Sequence, residues 1–105
     1  KVSLMFSGKK YLTKGIYTNI PLEIQQFLWR AVETMPAPKD YLQVFVLCIQ
    51  NGIQVVHHSA EQPVFDMTYV LPNISEPVSA KIYIIDDYYA DENQHIATML
   101  LAEEY

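Results

Sequence analysis

The chain has 105 residues, half of them hydrophobic, and a formal net charge of −5. A globular chain of this length has room for one hydrophobic core, so residues 1–105 are predicted to form a single domain. The acidic balance argues against a nucleic-acid partner. The sequence has no apolar run of roughly 18–20 residues, which argues against a membrane partner, and no signal-peptide pattern, which predicts a cytoplasmic protein.

The first twenty residues carry weak signals. Residues 1–4 are expected to be a cloning remnant or an upstream extension, with Met5 as a candidate natural start. Residues 11–13 form a short strand candidate that Gly15 ends, and residues 16–19 lead into the next element.

Residues 20–35 carry the strongest pattern, an apolar stripe at helical spacing. The stripe consists of Ile24, Phe27, Leu28, Ala31, Val32 and Met35. Pro21 suits a first helical turn, and Pro36 and Pro38 disfavour helical geometry in the residues before them. We therefore predict an amphipathic helix over residues 21–34.

Two apolar residues of this helix lie outside the stripe. Leu22 and Trp29 are seven residues apart, so they share a side of the helix with Gln26 and Glu33. In one interpretation another element covers this side and Trp29 belongs to the core. In the other, Leu22, Gln26, Trp29 and Glu33 form a helix surface that meets a partner or a second copy of the chain, because aromatic residues are enriched at interfaces.

Residues 41–50 and 53–58 flank Asn51-Gly52, and both runs are apolar on two sides. Asn-Gly between apolar runs is a strong hairpin signal. A two-residue turn pairs Gln50 with Ile53, Cys48 with Val55, Val46 with His57, and Phe45 with His58. The first strand is apolar on both faces, which is typical of a central strand.

Beyond this hairpin the pattern predicts a loop over 59–64, a strand over 65–71, a loop over 72–79 and a strand over 80–86. A polar loop over 88–94 follows. Residues 95–101 fit a helix or a strand that pairs with residues 80–86, and both alternatives stay open. The tail 103–105 is either solvated or docked, with Tyr105 in the core.

The predicted fold is α+β: a small antiparallel sheet of four to five strands with one amphipathic helix packed on one face. The two-faced strand over 41–50 then needs a second cover. Either the C-terminal segment or a partner molecule supplies it.

The candidates for chemistry are few. His57 and His58 point to opposite sides of a strand, so they cannot share a metal ion. A metal site needs one of them together with Asp86, Asp87 or His95, brought together by the fold. Cys48 is expected to be a buried apolar residue, and no phosphate loop or nucleophile motif is present. The sequence predicts no cofactor.

Four segments in order carry a family resemblance. They are Met5-Phe6 with Tyr11-Leu12-Thr13-Lys14-Gly15, Ile20-Pro21-Leu22-Glu23-Ile24-Gln25 with Leu28-Trp29, Asp40-Tyr41-Leu42-Gln43-Val44-Phe45, and Ile84-Ile85-Asp86-Asp87 with Thr98-Met99-Leu100-Leu101-Ala102-Glu103-Glu104-Tyr105. Together they resemble domain of unknown function family 960 of Gram-positive cocci and their relatives. Residues 88–94 look like an insertion relative to that pattern. The resemblance implies a compact, cytoplasmic, stand-alone bacterial domain and implies no activity.

The leading functional prediction is a non-catalytic protein-interaction or regulatory module that binds a protein partner or associates with itself as a homodimer. It depends on the helix surface, the two-faced hairpin and the lack of a catalytic signature. The alternative is a small metal-dependent enzyme or metal-binding domain that uses His57 or His58 with Asp86, Asp87 or His95.

Overall fold

The structure, a computed structural model, describes residues 5–105, so the expectation for residues 1–4 lies outside the described residues. Its helices and strands are β1 (Lys9–Leu12), α1 (Lys14–Asn19), α2 (Leu22–Thr34), β2 (Leu42–Gln50), β3 (Ile53–Glu61), β4 (Val64–Leu71), β5 (Ala80–Tyr89) and β6 (Gln94–Leu101). Two single turns of 3-10 helix, Ala90–Glu92 and Ala102–Glu104, follow β5 and β6.

The six strands form one sheet in the order β1-β6-β5-β2-β3-β4. Every neighbouring pair is antiparallel except β1 and β6, which run parallel. The predicted antiparallel sheet of four to five strands with one helix is therefore wrong in strand number, strand direction and helix number, although the fold is still α+β. The extra elements are short ones at the N-terminus, which the remote C-terminal segment stabilises.

Helix α2 confirms the strongest sequence prediction. Its stripe residues Ile24, Leu28, Ala31 and Val32 are buried against the sheet. Helix α1 was not predicted, because only Ile16 of its six residues is buried. The Gln25 side chain donates to the Ile20 carbonyl at 2.8 Å, so a buried amide of α2 holds the end of the preceding turn.

The β2–β3 hairpin has the predicted register, with Gln50 opposite Ile53 and Phe45 opposite His58. The loop predicted over 59–64 is wrong, because β3 continues to Glu61 and β4 starts at Val64. The Asp40 carboxylate accepts hydrogen bonds from the backbone N–H groups of Glu61 and Gln62 at 3.2 and 2.8 Å. A residue from a distant connector thus stabilises this tight turn.

The C-terminal segment is a strand. β6 pairs with β5 along its full length, and β5 extends beyond the predicted 80–86. The predicted 88–94 loop is therefore shorter, with Asn93 in the left-handed region at φ 50°. Backbone pairing on both sides of β6 settles the helix-or-strand alternative in favour of the strand.

The two faces of the sheet differ. One face packs against both helices and holds the core, including Phe45, Leu47, Ile82, Ile84 and Met99. On the other face, called the open face here, none of the described helices contributes to a core. Its centre is apolar and consists of Leu42, Val44, Val46, Tyr83, Ile85 and Leu100. The C-terminal strand extends the sheet instead of covering this face, and the Tyr105 ring after it packs against Tyr83.

Candidate functional site

The structure places the two adjacent histidines on opposite faces of β3. His57 is exposed on the open face, where its Nδ1 lies 2.9 Å from the Thr68 hydroxyl. His58 is fully buried on the helix-facing side. Strand β2 separates both of them from Asp86 on β5, so the fold does not bring these histidines to the carboxylates that the metal hypothesis requires.

His58 occupies an apolar pocket in the core. Its ring stacks on Phe45 at 4.2 Å and meets Phe65 at 4.7 Å, measured between ring centroids. The Gln43 amide donates to the Asp40 carbonyl, so its oxygen faces His58 and accepts from Nε2 at 2.6 Å. Within residues 5–105, Nδ1 has no hydrogen-bond partner. Burial lowers the pKa of His58 to about 4, so the ring is neutral at pH 7.

Asp86 and His95 do come together. His95 Nδ1 lies 2.5 Å from Asp86 Oδ2, and Asp86 Oδ1 accepts the backbone N–H of Phe6 at 3.0 Å. The Asp86 side chain is nearly inaccessible, and the pair borders a cleft of about 580 Å³. Asp87 is exposed on the opposite face. In the described part of the chain, no three histidine, cysteine, aspartate or glutamate side chains are grouped so that they could hold a metal ion.

The four residues of the helix surface lie on one side of α2. Leu22 is 66% exposed, Gln26 and Glu33 are exposed, and Trp29 is half-buried. Lys10 reaches across from β1, with its Nζ 2.9 Å from Glu33 Oε2 and 5.8 Å from the Trp29 ring centroid. Trp29 therefore packs partly against the core and partly under a lysine. The role of this surface in binding stays a prediction.

The centre of the open face has more apolar residues than the helix surface, whose apolar members are Leu22 and Trp29. Its residues form rows across strands, because Val44, Tyr83 and Leu100 lie side by side. The Tyr105 ring meets the Tyr83 ring edge-on at 5.6 Å. Charged residues surround this centre, including Lys81, Asp66 and Asp87. Cys48 also lies on this face and is half-buried, so the expectation that it is buried is only partly met.

Sequence reasoning recognised the second apolar side of β2, and Tyr83 and Ile85 on one side of β5, but it did not place them with Leu100 of β6 on one face. Tyr83 and Ile85 on β5 alternate with the buried Ile82 and Ile84. Apolar residues in both alternating positions of three adjacent strands are the signal that could have identified this face.

The C-terminal tail docks through Glu104. Its carboxylate accepts from the Thr13 hydroxyl at 2.6 Å, from the Leu101 N–H at 2.8 Å and from the Gly15 N–H at 3.0 Å. These hydrogen bonds, that from Thr13 first, lower the pKa of Glu104. Tyr105 is exposed, so the alternative that places its ring in the core is wrong.

The chain is similar over residues 9–104 to a family described as staphylococcal protein of unknown function, DUF960. It is also similar to a crystal structure of a protein of unknown function from Enterococcus faecalis. The two share 24% sequence identity and superpose with a TM-score of 0.79 over 99% of this chain and 98% of that one. That likeness shows a common fold. No curated protein matches the sequence.

None of the helices between residues 5 and 105 is long and apolar enough to span a membrane. The cytoplasmic location and the lack of a nucleic-acid partner stay predictions.

Proposed function

We propose that this chain, which belongs to the DUF960 family of staphylococcal proteins of unknown function, is a non-catalytic module that binds a partner protein through the open face. The family supplies no activity, so the proposal depends on the structure. The observation that carries this proposal is the apolar centre of the open face. In a two-layer fold, the sheet face that no helix covers is normally polar, because alternate residues point to water.

The composition of the open face also supports protein binding. Val46 is 39% exposed, and Val44, Tyr83 and Ile85 of the same face are half-buried. Contiguous apolar patches of this kind are typical of docking surfaces, and tyrosine is enriched in them. Charged side chains at the rim suit a partner whose apolar surface is itself surrounded by polar groups.

The helix surface is the second proposed contact. Leu22 is its most exposed apolar residue, whereas Lys10 covers part of the Trp29 ring. This surface therefore has fewer apolar residues than the open face, and we rank it second.

The metal-dependent alternative has one observation in its favour, the contact between Asp86 and His95. Two protein ligands are fewer than a metal site generally requires. Calorimetry with zinc or manganese on untagged protein tests it. Binding that is lost in His95→Ala would favour this alternative over the interaction module.

The substitution Val46→Glu tests the open face. Lys81 lies directly opposite Val46 on β5, so a carboxylate is tolerated there while the apolar surface is interrupted. Gln50→Glu is the matched control, since it makes an acidic change at an exposed position at the end of the same strand. A Leu22→Ala/Trp29→Ala variant tests the helix surface in parallel.

Wild type and each variant are immobilised and exposed to an extract of the source cells, and the proteins that they retain are identified by mass spectrometry. Circular dichroism confirms that each variant is folded. We expect a specific partner to bind wild type, Gln50→Glu and the helix variant, and to be lost with Val46→Glu. A partner that is lost only with the helix variant, or that binds all four proteins equally, would refute the open face as the docking surface.

A further inference from the structure

We propose that two copies of the chain pair through β4, antiparallel about a two-fold axis, so that their two sheets become one continuous sheet. The proposal concerns the edge of the sheet and is independent of the open-face proposal.

Strand β4 is the last strand of the sheet, and no described strand pairs with its outer edge. It has eight residues, of which Val64, Asp66, Met67, Thr68 and Val70 are exposed. Half of the backbone N–H and C=O groups of such a strand point away from the sheet and can pair with another strand. Val64 is 84% exposed and Val70 is 59% exposed, so the apolar side chains at its two ends also lie in water.

The opposite edge of the sheet shows how this protein protects an edge. Strand β1 has only four residues and begins with Lys9 and Lys10, and Lys10 forms an ion pair with Glu33. Short length and lysine side chains are the usual devices that prevent strand addition. Strand β4 is twice as long, contains no lysine or proline, and carries one charge, that of Asp66. The contrast indicates that the β4 edge is suited to pairing.

The sequence of β4 is complementary to itself in one register. Opposite residues of an antiparallel pair point to the same face, whereas successive residues of one strand alternate between faces. The two-fold axis must therefore pass through the position where one residue lies opposite its own copy, not between two residues. With the axis at Met67, Asp66 lies opposite the partner's Thr68, and Val64 lies opposite the partner's Val70. A hydroxyl thus faces a carboxylate, and a β-branched side chain faces its own kind.

On the helix-facing side the same register places Phe65 opposite the partner's Tyr69. Tyr69 is already held by an edge-on contact with Phe27 of α2, at 5.0 Å between ring centroids. The aromatic pair would therefore join the helix-facing layers of the two copies.

Neighbouring registers are worse. An axis at Asp66 sets two carboxylates opposite each other, and like charges in that position repel. An axis at Thr68 sets Asp66 opposite the partner's Val70. Only the Met67 register among these three matches polar with polar and apolar with apolar residues on the open face. The predicted occupant is therefore a second copy in a defined alignment.

The test is the mass of the full chain in solution, measured by sedimentation equilibrium from micromolar to submillimolar concentration. We expect wild type to approach twice its chain mass of 12.1 kDa. Thr68→Asp places a carboxylate opposite the partner's Asp66, so we expect it to weaken dimerisation at least tenfold. The exchange Asp66→Thr/Thr68→Asp restores the pairing in the Met67 register and should restore the dimer.

A cross-link tests the alignment directly. In a Cys48→Ala background, Met67→Cys sets two thiols face to face across the axis, and oxidation should give a covalent dimer. The matched control, Val70→Cys, lies opposite the partner's Val64 and should give none. A wild-type monomer at all concentrations would overturn the proposal. A dimer that Thr68→Asp leaves intact, or equal cross-linking at both positions in folded protein, would also overturn it.

Discussion

The buried His58 should make this protein sensitive to mild acid. The pKa of the ring falls from 6.5 to about 4 on folding, because burial between Phe45 and Phe65 disfavours the charged form. The unfolded chain therefore binds a proton more readily than the folded chain does. The free energy of unfolding is unaffected by this group above pH 6.5 and decreases as the pH falls towards 4.

The size of the effect follows from the two pKa values. Each tenfold difference in proton affinity corresponds to about 1.4 kcal/mol, so full protonation costs the fold about 3 kcal/mol. Between pH 7.5 and pH 5 the expected loss from His58 is about 2 kcal/mol. That is a large fraction of the stability of a small domain.

Urea unfolding at pH 7.5 and pH 5 measures this loss for wild type and for His58→Gln. The variant retains a partner for Gln43 but has no titrating ring, so we expect about 2 kcal/mol less acid sensitivity in it than in wild type. Comparing how the free energy of unfolding changes with pH cancels any effect of the substitution on stability that does not depend on pH. His57→Gln is the matched control, since it removes the exposed neighbouring histidine and should leave the wild-type slope. Equal slopes for wild type and His58→Gln would refute the reasoning.

Two further predictions concern the ends of the helices. A Cβ at Gly15 would lie 2.5 Å from a Glu104 carboxylate oxygen. Gly15→Ala should therefore lower the thermal midpoint in wild type and stabilise a Glu104→Ala background by about 0.5 kcal/mol. A double-mutant cycle by thermal unfolding measures both effects. A stability change of the same sign in both backgrounds would contradict the prediction. The Lys39 ammonium donates to the carbonyls of Val32 and Glu33 at 2.7 and 3.1 Å, at the end of α2. Lys39→Met should therefore lower the free energy of unfolding in urea by about 1 kcal/mol, and no change would show that these bonds merely replace bonds to water.

Local patterns predicted the elements that depend on nearby residues. The stripe of α2 and the prolines after it specify a helix within fifteen or so residues. Asn51 and Gly52 both have positive φ, which the Asn-Gly turn requires, and this turn sets the register of β2 on β3. These elements formed where the sequence placed them.

Elements that depend on remote partners were missed or left open. The segment from β1 to α1 is mostly exposed, and its stabilising contacts come from β6 and Glu104, more than eighty residues away. The pattern of residues 95–101 suits a helix as well as a strand, and pairing with β5 decided between them. The prediction of four to five antiparallel strands failed for this reason.

The candidate sites divide in the same way. The seven-residue spacing placed Leu22 and Trp29 on one side of α2, because helical geometry is local. Spacing could not show that Lys10 covers part of Trp29, or that Asp86 contacts His95 while His57 and His58 lie elsewhere. The arrangement of the strands in the sheet decides which of these distant side chains come into contact.

The sequence by itself determined the family, the main helix, the first hairpin and the two apolar sides of β2. These features are set by periodicity and turn chemistry, which act over a few residues. The tertiary structure alone decided that β6 extends the sheet beside β5 instead of covering its second apolar face, and that β4 is the outermost strand at the other end. The physical reason is that each backbone group and apolar side chain can be satisfied by several partners, and only packing of the whole chain selects among them.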